Sequence, residues 1–140
     1  MTELFDVAII GGGCAGSTTA TLLAKKGYSV LIVEQDKLPR HHIGESMVPG
    51  ITLALEELGL TEAMAEHGFT VKHGITFVWG TEWKPWTVHF DEVPGPDHTF
   101  QVVRSEFDYM LLTMLAVQGY ECSKKLVLWV CCSREIAVAA

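Results

Sequence analysis

Apolar residues along the chain alternate between short unbroken runs and helical spacing. Runs at Val7–Ile10 and Tyr28–Val33 predict two buried strands, and the segment from Ala15 to about Lys26 predicts a helix between them. The first run leads directly into the pattern G-x-G-x-x-G at Gly11–Gly16, and the second run ends at Glu34. Strand, glycine turn, helix, strand and acid in this order are typical of a βαβ unit that binds the ADP half of a dinucleotide.

Each glycine of this turn has a chemical reason. Gly11 lets the chain turn sharply off the strand, Gly13 lets a pyrophosphate approach the backbone, and Gly16 lets the helix pack closely on the strand. The first N–H groups of the helix lie at its positive end, which suits a doubly charged pyrophosphate. Glu34 stands where an acid accepts hydrogen bonds from ribose hydroxyls and repels a 2′-phosphate. The pattern predicts FAD or NAD and disfavours NADP; the alternative is a glycine-rich turn without a ligand.

Beyond this unit, hydrophobic spacing and turn residues predict more helices and strands. The helices are expected at residues 51–59, 61–66 and 105–118, with Gly59 as a stop and Thr61 as a candidate cap. The strands are expected at residues 69–79, 86–90, 99–103 and 124–131, and the first two are joined as a hairpin. Loops are expected at residues 36–39 and 91–97, where prolines interrupt the pattern.

The length and composition of the chain are those of a globular protein. A length of 140 residues fits one domain, and 49% hydrophobic residues are typical of a globular chain. A net charge of −7 argues against a nucleic-acid or anionic-membrane surface. Without a bilayer-spanning run or a basic N-terminal segment, we expect no signal peptide, no membrane partner and a cytoplasmic location. No metal site is predicted, because the cysteines lack ligand spacing and are expected to be reduced thiols: Cys14, Cys122, Cys131 and Cys132.

Four further segments carry a resemblance to a known family. Arg40–Pro49 reads Arg-His-His-Ile-Gly-Glu-Ser-Met-Val-Pro, and Phe69–Phe77 contains a lysine, Lys72, in an apolar alternating strand. Trp79-Gly80 is followed by Pro85-Trp86, and Gln101–Leu111 begins an arginine-led helix. With the glycine turn, these segments resemble the flavin-dependent halogenases, the tryptophan-halogenase-like branch of the FAD-dependent monooxygenase superfamily. The resemblance covers about residues 4–121, and its most specific part is the Gly-Glu-Ser segment with a lysine downstream.

The resemblance implies a fold and an activity. The fold would be α/β, a partial Rossmann-like FAD-binding domain of the GR2 flavoprotein type with a β-hairpin insertion. The enzyme would use reduced FAD from a separate flavin reductase, O2 and a halide to form hypohalous acid. A lysine at the position of Lys72 would then present the halogen to an electron-rich aromatic substrate, either free or bound to a carrier.

The resemblance also implies which residues contact the cofactor. Gly44–Met47 would lie beside the flavin, and Arg104 would contact FAD; the alternative for Glu45 and Ser46 is that they only cap the helix near Ile51. Arg104 is poorly placed for the helix dipole at a helix start, which favours an anion partner, and Asp108 lies one turn later as an ion-pair partner. For Arg40, pairing with the pyrophosphate or an adenosine-side group and a charge in solvent remain equal alternatives. The complete set is Gly11, Gly13, Cys14, Ala15, Gly16, Ser17, Glu34, Arg40, Gly44, Glu45, Ser46, Met47 and Arg104.

The lysine chemistry also has a reason of its own. An ammonium polarises hypohalous acid, and an unprotonated amine takes up the halogen; both need a lysine held away from bulk water, where burial lowers its pKa. The alternative for Lys72 is an edge-strand lysine in solvent. His41 and His42 are expected to be loop polar residues. The tryptophans Trp79, Trp83 and Trp86 are expected to be core or cross-strand pairs more than pocket walls.

The chain also departs from the family pattern. Family members are several times longer and carry a second FAD motif with Gly-Asp and a Trp-x-Trp-x-Ile-Pro segment, which this sequence lacks. We therefore expect residues 1–122 to be the N-terminal part of the FAD-binding domain and residues 123–140 to be a divergent tail, from a truncated or frame-shifted gene. Because these motifs are missing, we expect this short chain to have weak or no turnover. The alternatives are a related FAD-dependent oxidoreductase, such as a hydroxylase or prenyl reductase, and a non-catalytic fragment.

Overall fold

The computed structural model describes residues 4–81, 83–117, 126–132 and 135–139, with side chains at 4–81 and 83–113. The fold is α/β, as the sequence predicts. The chain forms two compact units, where its length alone suggested one domain. The first unit combines the residues up to Ile43 with those from Arg104 onward, and the second is Gly44–Val103.

The chain begins with the β–α–β order expected for a Rossmann-like unit, and two helices, four strands, a helix and two strands follow it. The helices are α1 (Cys14–Lys25), α2 (Gly50–Leu58), α3 (Thr61–His67) and α4 (Arg104–Val117). The strands are β1 (Val7–Ile10), β2 (Val30–Glu34), β3 (Thr70–Lys72), β4 (Gly74–Val78), β5 (Pro85–His89), β6 (Thr99–Gln101), β7 (Leu126–Cys132) and β8 (Glu135–Ala139). A short 3₁₀ turn, Phe90–Glu92, follows β5.

The first unit is built on a sheet with the strand order β1-β2-β7-β8. As predicted for a Rossmann-like sheet, β1, β2 and β7 are parallel; β8 pairs antiparallel with β7. Helix α1 connects β1 to β2 and packs against α4. The core between them buries Ala20, Val30, Ile32 and Leu112. Burying each larger aliphatic side chain contributes about 1.5–3 kcal/mol to the stability of the fold. This burial holds α1 against the sheet directly after the glycine turn.

The second unit contains two small antiparallel sheets, β3 with β6 and β4 with β5. Helix α2 packs against α3 and β6. The predicted stop of α2 at Gly59 is confirmed, because this residue ends the helix with a φ of +74°. The apolar side chains buried in this unit are Leu55, Leu58, Leu60, Met64, Phe90, Phe100 and Val102.

Two predictions for the second unit are wrong. Residues 69–79 do not form one strand, because His73 separates β3 from β4 and the two strands lie in different sheets. At the break, a Cβ on Gly74 would lie 2.7 Å from the Val88 carbonyl oxygen, so β5 approaches the backbone closely and only β4 joins the hairpin. Thr61 is not a cap; Leu60 holds the N-cap position of α3 and makes no side-chain capping bond.

The tryptophans of the hairpin fall into two groups. Trp86 stacks on its cross-strand partner Phe77, with ring centroids 4.5 Å apart, so the predicted cross-strand pairing is confirmed for this residue. Trp79 and Trp83 are 82% and 71% exposed, and neither belongs to the core.

The C-terminal residues add strands to the sheet of the first unit. β7 begins two residues later than predicted, and β8 is a strand that the sequence pattern did not indicate. The predicted helix stop at Gly119 and the predicted boundary at residue 122 lie outside the described residues. Within the described part of the chain, no helix combines the length and the apolar character needed to span a bilayer.

Candidate functional site

The glycine turn joins the carboxyl end of β1 to the start of α1. Gly11 has a φ of +101°, in the left-handed region that favours glycine, and its N–H donates to the Val33 carbonyl oxygen at 2.7 Å. Gly16 allows the closest approach, because a Cβ there would lie 1.9 Å from the Gly11 carbonyl oxygen. The Ser17 hydroxyl donates to the Gly12 carbonyl oxygen at 3.0 Å and closes the turn from the helix side. The first N–H groups of α1 therefore face a turn lined by backbone, which is suited to a phosphate.

Glu34 fastens the end of β2 to this turn. Its carboxylate is 3% exposed and accepts the Gly12 N–H at 2.6 Å and the Asp36 N–H at 3.0 Å. Arg40 Nη2 lies 3.5 Å from Oε2 of the same carboxylate. Burial acts to raise the pKa of Glu34, but the backbone donors and the charge of Arg40 outweigh it and hold that pKa below its usual value. Glu34 is thus an ionised acid at the position expected to contact a ribose.

A cavity of about 470 Å³ opens beside Glu34 in the first unit. It lies past the carboxyl ends of β1 and β2, where open α/β sheets bind their ligands, and its volume suits a small molecule. His41 and His42 line it as exposed loop residues, in agreement with their prediction. The ring of His42 is engaged locally, with Nδ1 at 2.7 Å from the Ile43 carbonyl oxygen.

A buried acid, Asp108, links the two arginines that the sequence places near the cofactor. Its Oδ1 accepts a hydrogen bond from Arg104 Nε at 2.9 Å, which confirms the predicted pair. Its Oδ2 lies 3.5 Å from Arg40 Nη1, and the acid is fully buried. Removing one partner from such a buried set costs about 3–5 kcal/mol, because a charge is left uncompensated. Asp108 therefore fixes both guanidinium groups.

These groups surround Gly13 at the start of α1. A Cβ on Gly13 would lie 3.6 Å from both Arg40 Nη2 and Asp108 Oδ2. Arg104 Nη2 reaches Cys14 Sγ at 3.1 Å. Ala15, in the same first turn of the helix, is exposed.

Two of these buried atoms show how well the site fits a dinucleotide. Arg40 Nη1 and Asp108 Oδ2 make no hydrogen bond among the described residues, although both are buried. The first offers an N–H to a phosphate oxygen, and the second accepts a hydroxyl. Asp108 Oδ2 and the other terminal nitrogen of Arg40, Nη2, lie beside Gly13, which leaves the backbone open, so the residues present fit the ADP half of a dinucleotide.

The second unit holds the other predicted group, Lys72, at the end of β3. Its Nζ donates to Ser46 Oγ at 2.5 Å and to the Met47 carbonyl oxygen at 2.9 Å. The amine also lies 5.9 Å from the ring centroid of Phe90. Lys72 is half-buried, and burial lowers its pKa, as the sequence analysis expected for a lysine held away from bulk water.

The Gly-Glu-Ser segment runs beside β6 in the same unit. The Met47 N–H donates to the Phe100 carbonyl oxygen at 3.0 Å, and the Glu45 carbonyl oxygen accepts the Val102 N–H at 2.9 Å. The N–H of Met47 is thus used within the protein, where the sequence analysis expected backbone N–H groups of this segment to serve the cofactor. Gly44, Glu45 and Ser46 are exposed.

Sequence reasoning missed two of these contacts. The link from Asp108 to Arg40 had no local signal, because Arg104 already accounts for the charge of Asp108 and only the fold brings Arg40 to the same carboxylate. The contact between Ser46 and Lys72 had none, because 26 residues separate them and only the pairing of β3 with β6 brings them together.

Acid is expected to destabilise the first unit through Glu34. Because its pKa in the folded state is below its ordinary value of 4.5, the unfolded state binds more protons between the two values. The contribution of Glu34 is complete above pH 4.5 and is lost as the pH falls through the folded pKa. Urea unfolding from neutral to acidic pH measures this loss. The Glu34→Gln variant should show a shallower pH slope, and equal slopes in both proteins would contradict the assignment.

The glycine turn, the ionised acid and the paired arginines define a Rossmann-type dinucleotide-binding fold. The family model described as tryptophan halogenase matches residues 6–113. The chain therefore belongs to the tryptophan halogenase family, and the resemblance seen in the sequence is confirmed.

Individual relatives agree with this assignment. The chain is 43% identical over 106 residues to a tryptophan 2-halogenase from Chondromyces crocatus, which covers 76% of the chain and 20% of that protein. It is 39% identical over 123 residues to a 1H-pyrrole-2-carbonyl-[peptidyl-carrier protein] brominase from Pseudoalteromonas luteoviolacea, covering 88% and 29%. The structure of the myxobacterial chondrochloren halogenase CndH, an FAD-dependent halogenase, is similar with a TM-score of 0.78 and 41% identity, covering 91% and 29%. The chain thus spans between a fifth and three tenths of the length of these proteins.

Proposed function

We propose that this chain binds the ADP half of FAD at the glycine turn and serves an enzyme that halogenates electron-rich aromatic compounds. The observation that supports the cofactor site is the buried ion pair of Arg40 Nη1 and Asp108 Oδ2, 3.5 Å apart, in which neither atom makes a hydrogen bond among the described residues and Oδ2 lies beside Gly13. In this proposal Glu34 accepts hydrogen bonds from the ribose hydroxyls and repels a 2′-phosphate, as an acid at the end of the second strand does in this type of site. The choice of FAD over NAD rests on the relatives, which are described as flavin-dependent or FAD-dependent halogenases.

The bound cofactor would supply, in its reduced form and with O2, the oxidising power that converts halide into hypohalous acid. The chain's own contribution is to orient that acid. When protonated, Lys72 has a positive charge that polarises hypohalous acid; when unprotonated, it has a lone pair that takes up the halogen. Two acceptors, Ser46 Oγ and the Met47 carbonyl oxygen, hold its amine in place. Its lowered pKa increases the fraction of amine, which is the form that takes up halogen. Lys72 is therefore the proposed catalytic residue, and Gly44–Met47 the segment at the flavin end.

The proposed substrate class is supported by one of these relatives. The brominase relative acts on a pyrrole carried by a peptidyl-carrier protein. The proposed substrate class is a small aromatic compound, either free or bound to a carrier. A separate flavin reductase is the proposed source of reduced FAD, and the cytoplasm is the proposed location.

Replacing Arg104 by lysine tests the cofactor half of the proposal. Lysine keeps a cation beside Asp108 but loses the planar guanidinium fork, so affinity for FAD is expected to fall about tenfold while folding is retained. The reverse change at an exposed loop position, Lys37→Arg, is the matched control and should leave affinity unchanged. Calorimetric titration with FAD and thermal unfolding measure both properties. Equal affinity in wild type and Arg104→Lys would remove Arg104 from the site.

A further inference from the structure

The amine of Lys72 is held from one side only. Two of its hydrogen bonds go to neighbouring residues, Ser46 Oγ and the Met47 carbonyl oxygen, and the Phe90 ring lies close to it. An ammonium has three N–H donors. Among the described residues, no third acceptor lies within hydrogen-bond distance of Nζ. One donor of Lys72 is therefore available to a bound molecule.

The segment that holds this amine is itself fixed to β6. Met47 is tied by its N–H to Phe100, and the Val48 carbonyl oxygen accepts the Thr99 hydroxyl at 3.0 Å. Thr99 is also the cross-strand partner of Lys72 in the β3–β6 pair. The strand β6 thus pairs with β3, which carries Lys72. It also binds the segment before α2, which carries the two acceptors of the Lys72 amine. Acceptors on such a support restrain a side chain with four rotatable bonds.

The Ser46 hydroxyl differs from the Met47 carbonyl in one respect. When its oxygen accepts the Lys72 N–H, its own proton remains available. Among the described residues, no hydrogen bond donated by the Ser46 hydroxyl is present beside the one it accepts from Lys72. A bound molecule that accepts the third N–H of Lys72 can therefore also accept a hydrogen bond from the Ser46 hydroxyl.

We propose that Ser46 is the positioning residue of the halogenation site. Its hydroxyl fixes the Lys72 amine and presents a second donor to the oxygen of hypohalous acid. This assignment rests on the proposed role of Lys72, and it gives the Gly-Glu-Ser segment a task besides contact with the flavin. Without the hydroxyl, the amine loses one of two anchors and populates the reactive position less often.

Two variants of Ser46 separate positioning from folding. Ser46→Ala removes the hydroxyl from an exposed position, and Ser46→Thr retains it. In the 140-residue chain with ¹³C-labelled lysine, the Cε order parameter of Lys72 should fall in Ser46→Ala and remain at the wild-type value in Ser46→Thr. The Cε of Lys37, on an exposed loop, is the internal control and should not change. An unchanged order parameter of Lys72 in Ser46→Ala would overturn the proposal.

A kinetic measurement in a full-length relative with the same serine and lysine completes the test. There, the serine-to-alanine change should lower kcat for halogenation about tenfold and by more than it lowers the rate of flavin oxidation, and threonine should restore kcat. An unchanged kcat, or threonine as poor as alanine, would overturn the role of Ser46. Alanine at the position aligned with Lys72 tests the proposed function separately. If halogenation survives that change, the proposed catalytic role of Lys72 is contradicted. This holds even if the order parameter of Lys72 depends on the Ser46 hydroxyl as expected.

Discussion

Alanine in place of Lys72 is expected to abolish halogenation while the oxidation of reduced FAD continues. The chain covers only part of its relatives, so the change belongs in a full-length family member, at the position aligned with Lys72. The amine is the proposed group that holds and polarises hypohalous acid, and no other cation is hydrogen-bonded to Ser46 and Met47 in the described residues. Loss of a positioned proton donor lowers a rate by about 10²–10⁴-fold. We expect a loss in this range or larger.

Two measurements on the same variant separate chemistry from cofactor binding. Product formation is followed by chromatography, and consumption of reduced FAD by its absorbance. The matched control is alanine at a surface lysine corresponding to Lys37, which should leave both rates unchanged. If the Lys72 variant still halogenates, the lysine is not catalytic. If its product is instead an oxygenated or reduced compound at the wild-type rate, the related oxidoreductases, such as a hydroxylase or prenyl reductase, become the better account.

Replacement of Gly16 by alanine should prevent both folding and FAD binding. Helix propensity alone would favour alanine in α1 by about 1 kcal/mol. The added Cβ, however, would lie 1.9 Å from the Gly11 carbonyl oxygen, and this atom belongs to the backbone of the turn. The clash also forces α1 away from Ile9, whose Cγ2 would be 3.3 Å away. We expect a loss of at least about 3 kcal/mol in the free energy of unfolding, since the steric term outweighs propensity.

Gly50→Ala is the matched control for this change. Gly50 also lies in the first turn of a helix, as the first residue of α2, but a Cβ there would meet no atom within 4 Å. Stability should stay within about 0.5–1 kcal/mol of wild type or rise slightly, because alanine restricts the unfolded chain. Chemical denaturation compares the two variants. Wild-type stability and FAD affinity in Gly16→Ala would show that the turn tolerates a side chain and is not packed as described.

The βαβ unit was predictable because its signals are local. The run Val7–Ile10, the glycine spacing and Glu34 each occupy consecutive positions, and the structure reproduces β1 and the start of α1 to within one residue. The same holds for α2, which ends at Gly59 as predicted because glycine adopts a left-handed conformation there.

The failures arise where distant residues decide the structure. The break at His73 depends on the approach of β5 to Gly74, and β8 depends on pairing with β7. The site shows the same division. Its glycines and Glu34 are visible in the sequence, whereas the links from Asp108 to Arg40 and from Ser46 to Lys72 need the fold to bring them together.

We propose above that the first unit binds the ADP half of FAD. Titration of FAD with the folded 140-residue chain, followed by flavin fluorescence, tests it most directly. We expect a saturable one-to-one change in flavin fluorescence that ADP-ribose reverses and that 2′-phospho-ADP-ribose reverses far less, because Glu34 repels the additional phosphate. A chain that unfolds cooperatively on heating, yet leaves FAD fluorescence unchanged at every concentration, would contradict the claim.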